Sequence, residues 1–370
     1  MWLLAFALVA LVACTPRGKM SLVPESVALG PVQTVYVGST RAIDPASGRF
    51  GSGRSETTRY ASFGVSIPPD RQPGEIGWPG RNGKADPRRD FLTVAAQIYT
   101  DAPTFRQDIA KQIRSERKGS REVTLFVHGY NTNFDEGLYR IAQLAHDLEL
   151  PGAAVQYSWP SAGTAMGYLQ DRDSALFARR GLEALIHEIE AAGADRIYLV
   201  AHSVGAGLAM ETLRSLALQA DISTLKHIAG VVLISPDIDV DVFRAQAQEI
   251  GKLPQPFVIF GSARDKALAL SARLTGQHAR LGSLSDPATV ADLDVTIVDV
   301  AAFNTGTGHF NVANSPALIR ILDRLEQLDS TLDTDRRLRV GFLPGIVMTI
   351  QNATVVVLSP IAAIGERIVR

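Results

Sequence analysis

From residue 122 onward, short apolar runs alternate with stretches of helical periodicity. The runs at 123–127, 153–158, 196–200, 228–234, 256–260 and 295–299 are β-rich and apolar, the pattern of strands buried on both faces. Leu138, Ile141, Ala142, Ala145 and Leu148 recur at helical spacing in the first interval, and Leu182, Leu185, Ile186 and Ile189 in the second. This alternation predicts parallel βαβ units and therefore an α/β fold with a doubly wound, mostly parallel sheet. Ser315-Pro316 offers an N-cap and first-turn pair for a helix over 316–328.

The N-terminal third is patterned differently. Gln33–Val37 and Ser62–Ile67 are β-type runs, and the stretch between them (45–58) is rich in Gly, Ser and Arg with turn chemistry. Residues 68–90 are dense in Pro, Gly, Asn-Gly and Asp-Pro and read as a long loop. Phe91–Tyr99 reads as a further strand and 104–117 as a polar helix, so antiparallel strands are expected to precede the regular region. At the other end, Gly341–Ile364 carries no charge. Its length suffices to span a membrane, but Pro344, Pro360 and the central Gln351-Asn352 pair favour a surface-packed strand pair or an interfacial segment. The organisation expected is a signal peptide (1–13), a tether (14–30), an α/β domain (31–330) and an apolar C-terminal extension (331–370).

Composition narrows the class. The chain has 370 residues, 46% of them hydrophobic and 20% charged, with a formal net charge of -1. That is ample for one large core, and the near-neutral balance without a long basic run argues against a nucleic-acid partner. The lone cysteine excludes an intrachain disulfide framework, but its position is informative. Residues 2–13 are uninterrupted apolar, too short to cross a bilayer as a helix and suited to a signal-peptide core. Leu11-Val12-Ala13-Cys14 resembles a bacterial lipobox, which implies that Cys14 is lipidated and becomes the mature N-terminus. Thr15 beside it points to the outer membrane of a double-membraned cell, on its periplasmic side. No Lys or Arg precedes the apolar run, and an uncleaved hydrophobic anchor is the other reading.

The chemistry gathers where strand 196–200 ends. Ile197-Tyr-Leu-Val-Ala201 runs into His202-Ser203-Val204-Gly205-Ala206-Gly207, and a helical pattern follows. Strand, small-residue turn and helix together make a nucleophile elbow with Ser203 at its tip; a plain strand-to-helix turn is the alternative. The helix aims its N-terminal N–H groups at the place where a tetrahedral oxyanion would form. Val204 N–H is one candidate donor. The second is the N–H of Tyr130, after Gly129 in Val127-His-Gly-Tyr-Asn131.

A serine nucleophile needs a base and a carboxylate to orient that base. His309 lies in the Gly-rich loop Asn304–Phe310, just after the last strand of the regular region. His202 adjoins the serine on a strand, so its side chain points the opposite way, and His128 closes a strand similarly. His146, His187, His227 and His278 fall on helix or loop patterns and read as solvated. For the acid, Asp265 follows strand 256–260 between Arg264 and Lys266, which would favour its charged form. Asp237, in Ser235-Pro-Asp-Ile-Asp-Val-Asp241, is the alternative acid, although that cluster also suits capping of the helix bearing Val242 and Phe243. Gly205-Ala-Gly207 lacks the third small residue of a dinucleotide fingerprint. His187-Glu188 lacks the second His of a zinc-protease helix, and there is no Cys/His cluster, so neither cofactor nor metal is expected.

Taken together, the chain resembles an α/β-hydrolase, and more narrowly a bacterial α/β-hydrolase family of unassigned function. The resemblance rests on His128-Gly-Tyr-Asn-Thr-Asn-Phe134, Tyr157-Ser-Trp-Pro-Ser161, Tyr168-Leu-Gln-Asp171, Ala201-His-Ser-Val-Gly205, Ser235-Pro-Asp-Ile-Asp239, Arg264-Asp-Lys-Ala-Leu268 and Gly308-His-Phe310, and covers about residues 33 to 328. Ala201 stands where Gly is the commonest first residue of the elbow. The family pattern implies Ser203 as nucleophile, Asp265 as acid and His309 as base, in that chain order. The expected protein is a membrane-tethered serine hydrolase acting on a small acyl ester. Two other readings use the same chain: an acyltransferase with the same three residues, or a catalytically idle scaffold that binds a cell-envelope partner.

Overall fold

The computed structural model describes residues 17–80, 84–115, 117–276, 279–303, 309, 315 and 345–358. Cys14 with the apolar run before it, the helix expected over 316–328 and His278 lie outside the described residues.

In chain order the elements are β1 (Val32–Ile43), β2 (Phe50–Ser66), β3 (Leu92–Tyr99), α1 (Ala102–Ile113), β4 (Glu122–Val127), α2 (Phe134–Asp147), β5 (Ala153–Ser158), α3 (Tyr168–Phe177), α4 (Arg179–Ala191), β6 (Arg196–His202), α5 (Val204–Leu218), α6 (Ile222–His227), β7 (Ile228–Ile234), α7 (Val240–Ile250), β8 (Phe257–Gly261), α8 (Lys266–Leu274), β9 (Thr296–Asp299), β10 (Gly345–Ile350) and β11 (Ala353–Leu358). They form one 11-stranded sheet in the order β10-β11-β9-β8-β7-β6-β4-β5-β1-β2-β3. From β11 to β1 every neighbouring pair is parallel. β2, β3 and β10 add antiparallel edges. The expected architecture, a doubly wound and mostly parallel sheet with antiparallel N-terminal strands, is the one observed.

Burial on both faces explains the apolar strands. Leu125, Leu199, Leu213, Leu185 and Phe243 belong to the larger core on one face. Val35, Val37, Phe63, Phe126, Leu138 and Ile141 form the second, under α2. α2 starts sharply because Asn133 and Glu136 make a reciprocal capping box, each side chain accepting from the other's backbone N–H.

Several segments differ from the sequence reading for physical reasons. The turn within 45–58 occupies only the residues around Asp44–Arg49, and β2 continues the hairpin from Phe50 with its Ser, Thr and Arg side chains largely in solvent. α3 has no counterpart in the sequence pattern, because it buries Asp171 and Ser174 beside Tyr168 and Ala175, which breaks the apolar periodicity. Residues 17–23, read as part of a tether, lie against the fold: Met20 N–H donates to Asp135, and Val23 N–H donates to Thr93 O at 2.9 Å. The uncharged C-terminal stretch supplies two strands to the sheet itself, with Thr354–Val357 in register with Thr296–Asp299.

Candidate active site

β6 ends in an elbow. Ser203 has φ 53 and ψ -124, a left-handed backbone that costs a non-glycine residue about 1–3 kcal/mol and persists only where neighbours enforce it. Here they do. Ser203 N–H donates to Ile234 O at 3.0 Å, and Ser203 O accepts from Ala206 and Asp237 N–H groups. Gly205 lies so close to the β4 end that a Cβ there would stand 2.2 Å from His128 O. Ala201 is fully buried. Small residues two places either side of Ser203 are thus a steric requirement of the crossing between β6, α5 and β4.

Ser203 is 2% exposed, and its hydroxyl meets a histidine from 106 residues further along the chain. His309 Nε2 is 2.9 Å from Ser203 Oγ, and His309 Nδ1 is 2.8 Å from Asp265 Oδ2. With Nδ1–H donating to the carboxylate, Nε2 is left to accept from the hydroxyl. Asp265 also caps α8, since its Oδ1 accepts from the Ala267 and Leu268 N–H groups. The carboxylate is therefore buried with its acceptor sites filled by backbone donors and the imidazole, while Arg264 and Lys266 on either side are exposed.

The alternative acid is engaged elsewhere. Asp237 accepts from Tyr168 OH at 2.8 Å and Ser271 Oγ at 2.6 Å, with Arg280 Nε 3.4 Å away. That buried cluster joins α3 to α8. Asp239, from the same acidic stretch, caps α7 through Asp241 and Val242 N–H groups. Ser203, His309 and Asp265 come together, and Asp237 is not among them.

Four other histidines are engaged away from the Ser203 hydroxyl. His202 packs against His309, their rings 4.9 Å apart, and burial and that neighbour hold its pKa well below the usual imidazole value. His128 is buried, stacked on Trp159 with centroids 4.8 Å apart, and burial next to Arg41 lowers its pKa from 6.5 to about 3. His187 Nε2 lies 2.9 Å from Asp221 Oδ2 and His227 Nδ1 3.4 Å from Glu190 Oε1, both partly in solvent.

The two candidate oxyanion donors are carried on segments that meet at Ser203. Val204 opens α5, so its N–H is among the first four, which have no carbonyl partner within the helix. Gly129 lies against the serine: a Cβ there would be 2.9 Å from Ser203 Cβ and 2.5 Å from His202 Nδ1. Tyr130, next in the chain, turns its side chain away, and its hydroxyl donates to Ala165 O. What fixes this loop was missed in the sequence. Arg41, buried at the end of β1, donates to Ser158 Oγ, Gly51 O, Ser161 O and Thr132 O at 2.9–3.0 Å, and burial lowers its pKa to about 10. Asp171 accepts from Asn131 N–H at 3.1 Å, Ser161 Oγ at 2.6 Å and Ala162 N–H at 2.6 Å. Asn131 is itself left-handed, with φ 55. The only signals were an Arg among β-type residues and the Asp of Tyr168-Leu-Gln-Asp171.

A cavity of about 460 Å³ opens beside the elbow, lined by Trp78, His128, Gly129, Thr132, Arg140 and His202 among others. A larger one of about 820 Å³ lies over the antiparallel strands, against Leu22, Phe50, Tyr60 and Ile98, and touches neither the elbow nor the 129–132 loop. Among the described residues no group of three His, Cys, Asp or Glu side chains is placed to hold a metal.

The parallel sheet, its flanking helices and the strand–elbow–helix unit define an α/β-hydrolase fold. The chain belongs to the family described as "Alpha/beta hydrolase of unknown function (DUF900)", whose model matches residues 101–326, more than half of its length. No curated protein matches it. Among solved structures it is similar to a YdeN-like hydrolase from Pectobacterium atrosepticum, at 18% identity over 60% of this chain and 98% of that one, TM-score 0.32. It is also similar to an esterase from Pyrobaculum calidifontis, at 13% identity over 62% and 94%, TM-score 0.32. A third is the carboxylesterase EstE1 from a metagenomic library, at 13% identity over 86% and 92%, TM-score 0.35.

Proposed function

We propose that the protein is a serine hydrolase that cleaves acyl esters through an acyl-enzyme. The observation that carries this reading is the continuous chain Ser203 Oγ–His309–Asp265, at 2.9 and 2.8 Å, meeting at an elbow strained for that purpose. In the first half-reaction Ser203 Oγ attacks the ester carbonyl while His309 Nε2 takes the hydroxyl proton. Asp265 holds the ring with Nδ1–H toward itself and stabilises the imidazolium. The negative oxygen of the tetrahedral intermediate is met by the Val204 and Tyr130 N–H groups. Collapse breaks the ester C–O bond, and His309 gives its proton to the departing alcohol. A water, deprotonated by His309, then attacks the acyl carbonyl, and the proton returns to Ser203 as the carboxylic acid leaves. Every step uses side chains and backbone of this chain, and the reading calls for no cofactor.

The same proposal places the enzyme in the cell envelope, held through a lipid on Cys14 on the periplasmic side of the outer membrane. Its support is the apolar run 2–13 ending in Leu11-Val12-Ala13-Cys14.

The test is hydrolysis of p-nitrophenyl acyl esters from short to long chain by the wild type and by Ser203→Ala. Turnover by the wild type with loss of several orders of magnitude in the variant supports the proposal. Equal rates for the two proteins exclude it.

A further inference from the structure

The segment leading to Cys14 is fastened to the active-site loop. Arg17 donates to Asn131 Oδ1 at 2.7 Å and to Asn131 O at 2.8 Å, and pairs with Glu136 at 2.5 Å. Gly18 N–H donates to Glu136 Oε1, and Asn133 Nδ2 donates to Gly18 O at 2.9 Å. Gly18 also lies flat on Trp78, where a Cβ would come within 2.5 Å of the indole. These contacts fall on the 129–133 loop and the first turn of α2, beside Ser203. Two residues separate Cys14 from Arg17, so over three chain steps the cysteine can reach no more than about 11 Å from this point.

Exposed apolar side chains stand on the segments that contact that loop. Met166 is 96% exposed and follows Ala165, whose carbonyl holds the Tyr130 hydroxyl. Leu169 is 68% exposed and follows Tyr168, whose ring meets Tyr130 edge-on at 5.4 Å. Tyr168 in turn bonds Ser271 on α8, and Leu270 and Leu274 of that helix are exposed. Arg264, Lys266 and Arg273 are exposed on the same segment, and its one acid, Asp265, is buried. On these two segments the exposed bases Arg172, Arg264, Lys266 and Arg273 outnumber the exposed acid Asp173, and apolar side chains interspersed with a surplus of bases suit a surface that rests on anionic lipid.

Resting on the reading of a Cys14-anchored ester hydrolase, we propose that the mouth of the active site, from Arg17 through Met166 and Leu169 to Leu270 and Leu274, is the face that docks on a lipid bilayer. A short, fastened leash cannot hold the mouth away from the membrane that its own lipid enters. The substrate is then an acyl ester resident in that bilayer, entering from the lipid side.

The experiment uses the full lipidated chain on vesicles of phosphatidylethanolamine and phosphatidylglycerol. An environment-sensitive thiol label is attached after Met166→Cys, or after Ile222→Cys as a control on α6, before the opposite, N-terminal end of β7. A lipid-borne quencher is expected to quench the label at 166 and spare that at 222. Equal quenching, quenching at 222 alone or quenching at neither overturns the proposal, as does label on Cys14, which would mean that no lipid occupies its thiol. This readout needs no turnover, so a docked protein that cleaves no soluble ester sinks the hydrolase reading and leaves the docking face standing. The combined Met166→Ser and Leu169→Ser change is expected to slow cleavage of a fluorogenic diacylglyceryl ester in the vesicles by about tenfold, with p-nitrophenyl acetate hydrolysis kept within about twofold. Equal losses on both substrates, or none on the vesicle ester, count against the membrane source.

Discussion

Asp265 presents Oδ2 to His309 at 2.8 Å and Oδ1 to two N–H groups at the start of α8, so one buried carboxylate both orients the base and starts a helix. Asp265→Asn separates the two roles. An amide oxygen can still cap α8, but the amide NH₂ facing Nδ1 forces the imidazole proton onto Nε2, the wrong tautomer for accepting from Ser203. Turnover of a p-nitrophenyl ester should fall by about a thousandfold or more, with a melting temperature close to that of the wild type. A folded variant that retains most of its rate would remove Asp265 from the mechanism. Asp265→Ala should lose the cap as well, at a further cost of about 1 kcal/mol in urea unfolding.

Asp171 acts through the loop it holds. Removing its carboxylate leaves the Asn131 and Ala162 N–H groups and the Ser161 hydroxyl to find other partners, and releases the peptide that follows Tyr130. For Asp171→Ala we expect kcat to drop by about a hundredfold while KM changes little, because an oxyanion donor matters more in the transition state than in the ground state. A rise in KM at constant kcat would assign Asp171 to substrate binding instead.

The elbow makes opposite demands on two glycines. A methyl at Gly205 would meet His128 O at 2.2 Å, whereas at Gly207 the nearest atom is Ile238 Cγ1 at 3.8 Å. Gly205→Ala should therefore destabilise the fold by roughly 3 kcal/mol, as overpacking against immovable backbone does. Gly207→Ala should retain activity and gain about 0.5–1 kcal/mol from helix propensity. Chemical denaturation of the two variants side by side checks the contrast, and equal effects would mean that the crossing is looser than described.

Much of this was legible in the chain because its signals are local. The strand–turn–helix around Ser203 is written in consecutive residues, and the Gly-rich loop with His309 follows the last strand of the regular region. The positions of Asp265 and Asp237 both suited an orienting acid, and only three-dimensional packing distinguishes them: Asp237 is taken up by Tyr168, Ser271 and Arg280. Arg41 and Asp171 escape a reading of the sequence for a related reason. Their partners are single backbone and hydroxyl groups scattered over residues 51, 131–132 and 158–162, which leaves no periodicity to read. Residues 17–23 look like a free tether because their contacts to Asn131, Asp135 and Glu136 are equally non-local.

His128 predicts an acid sensitivity. Its pKa is about 3 in the fold against an ordinary value of 6.5, because burial and Arg41 exclude the charged ring. Between those values the unfolded chain binds a proton that the fold refuses, so stability rises with pH. The contribution is complete above 6.5 and is lost as pH falls toward 3, by about 1.4 kcal/mol per pH unit for this one group. Urea unfolding of wild type and His128→Gln across this range should show the steeper slope in the wild type. Parallel slopes would contradict the assignment.

The central claim is that Ser203 is the nucleophile, and covalent labelling tests it most directly. The wild type treated with a fluorophosphonate, digested and analysed by mass spectrometry should carry one adduct, on the peptide holding Ser203 Oγ. Ser203→Ala, shown to be folded by its thermal melt, should carry none. An adduct that persists in the variant, or a folded wild type that never acquires one, would contradict the account.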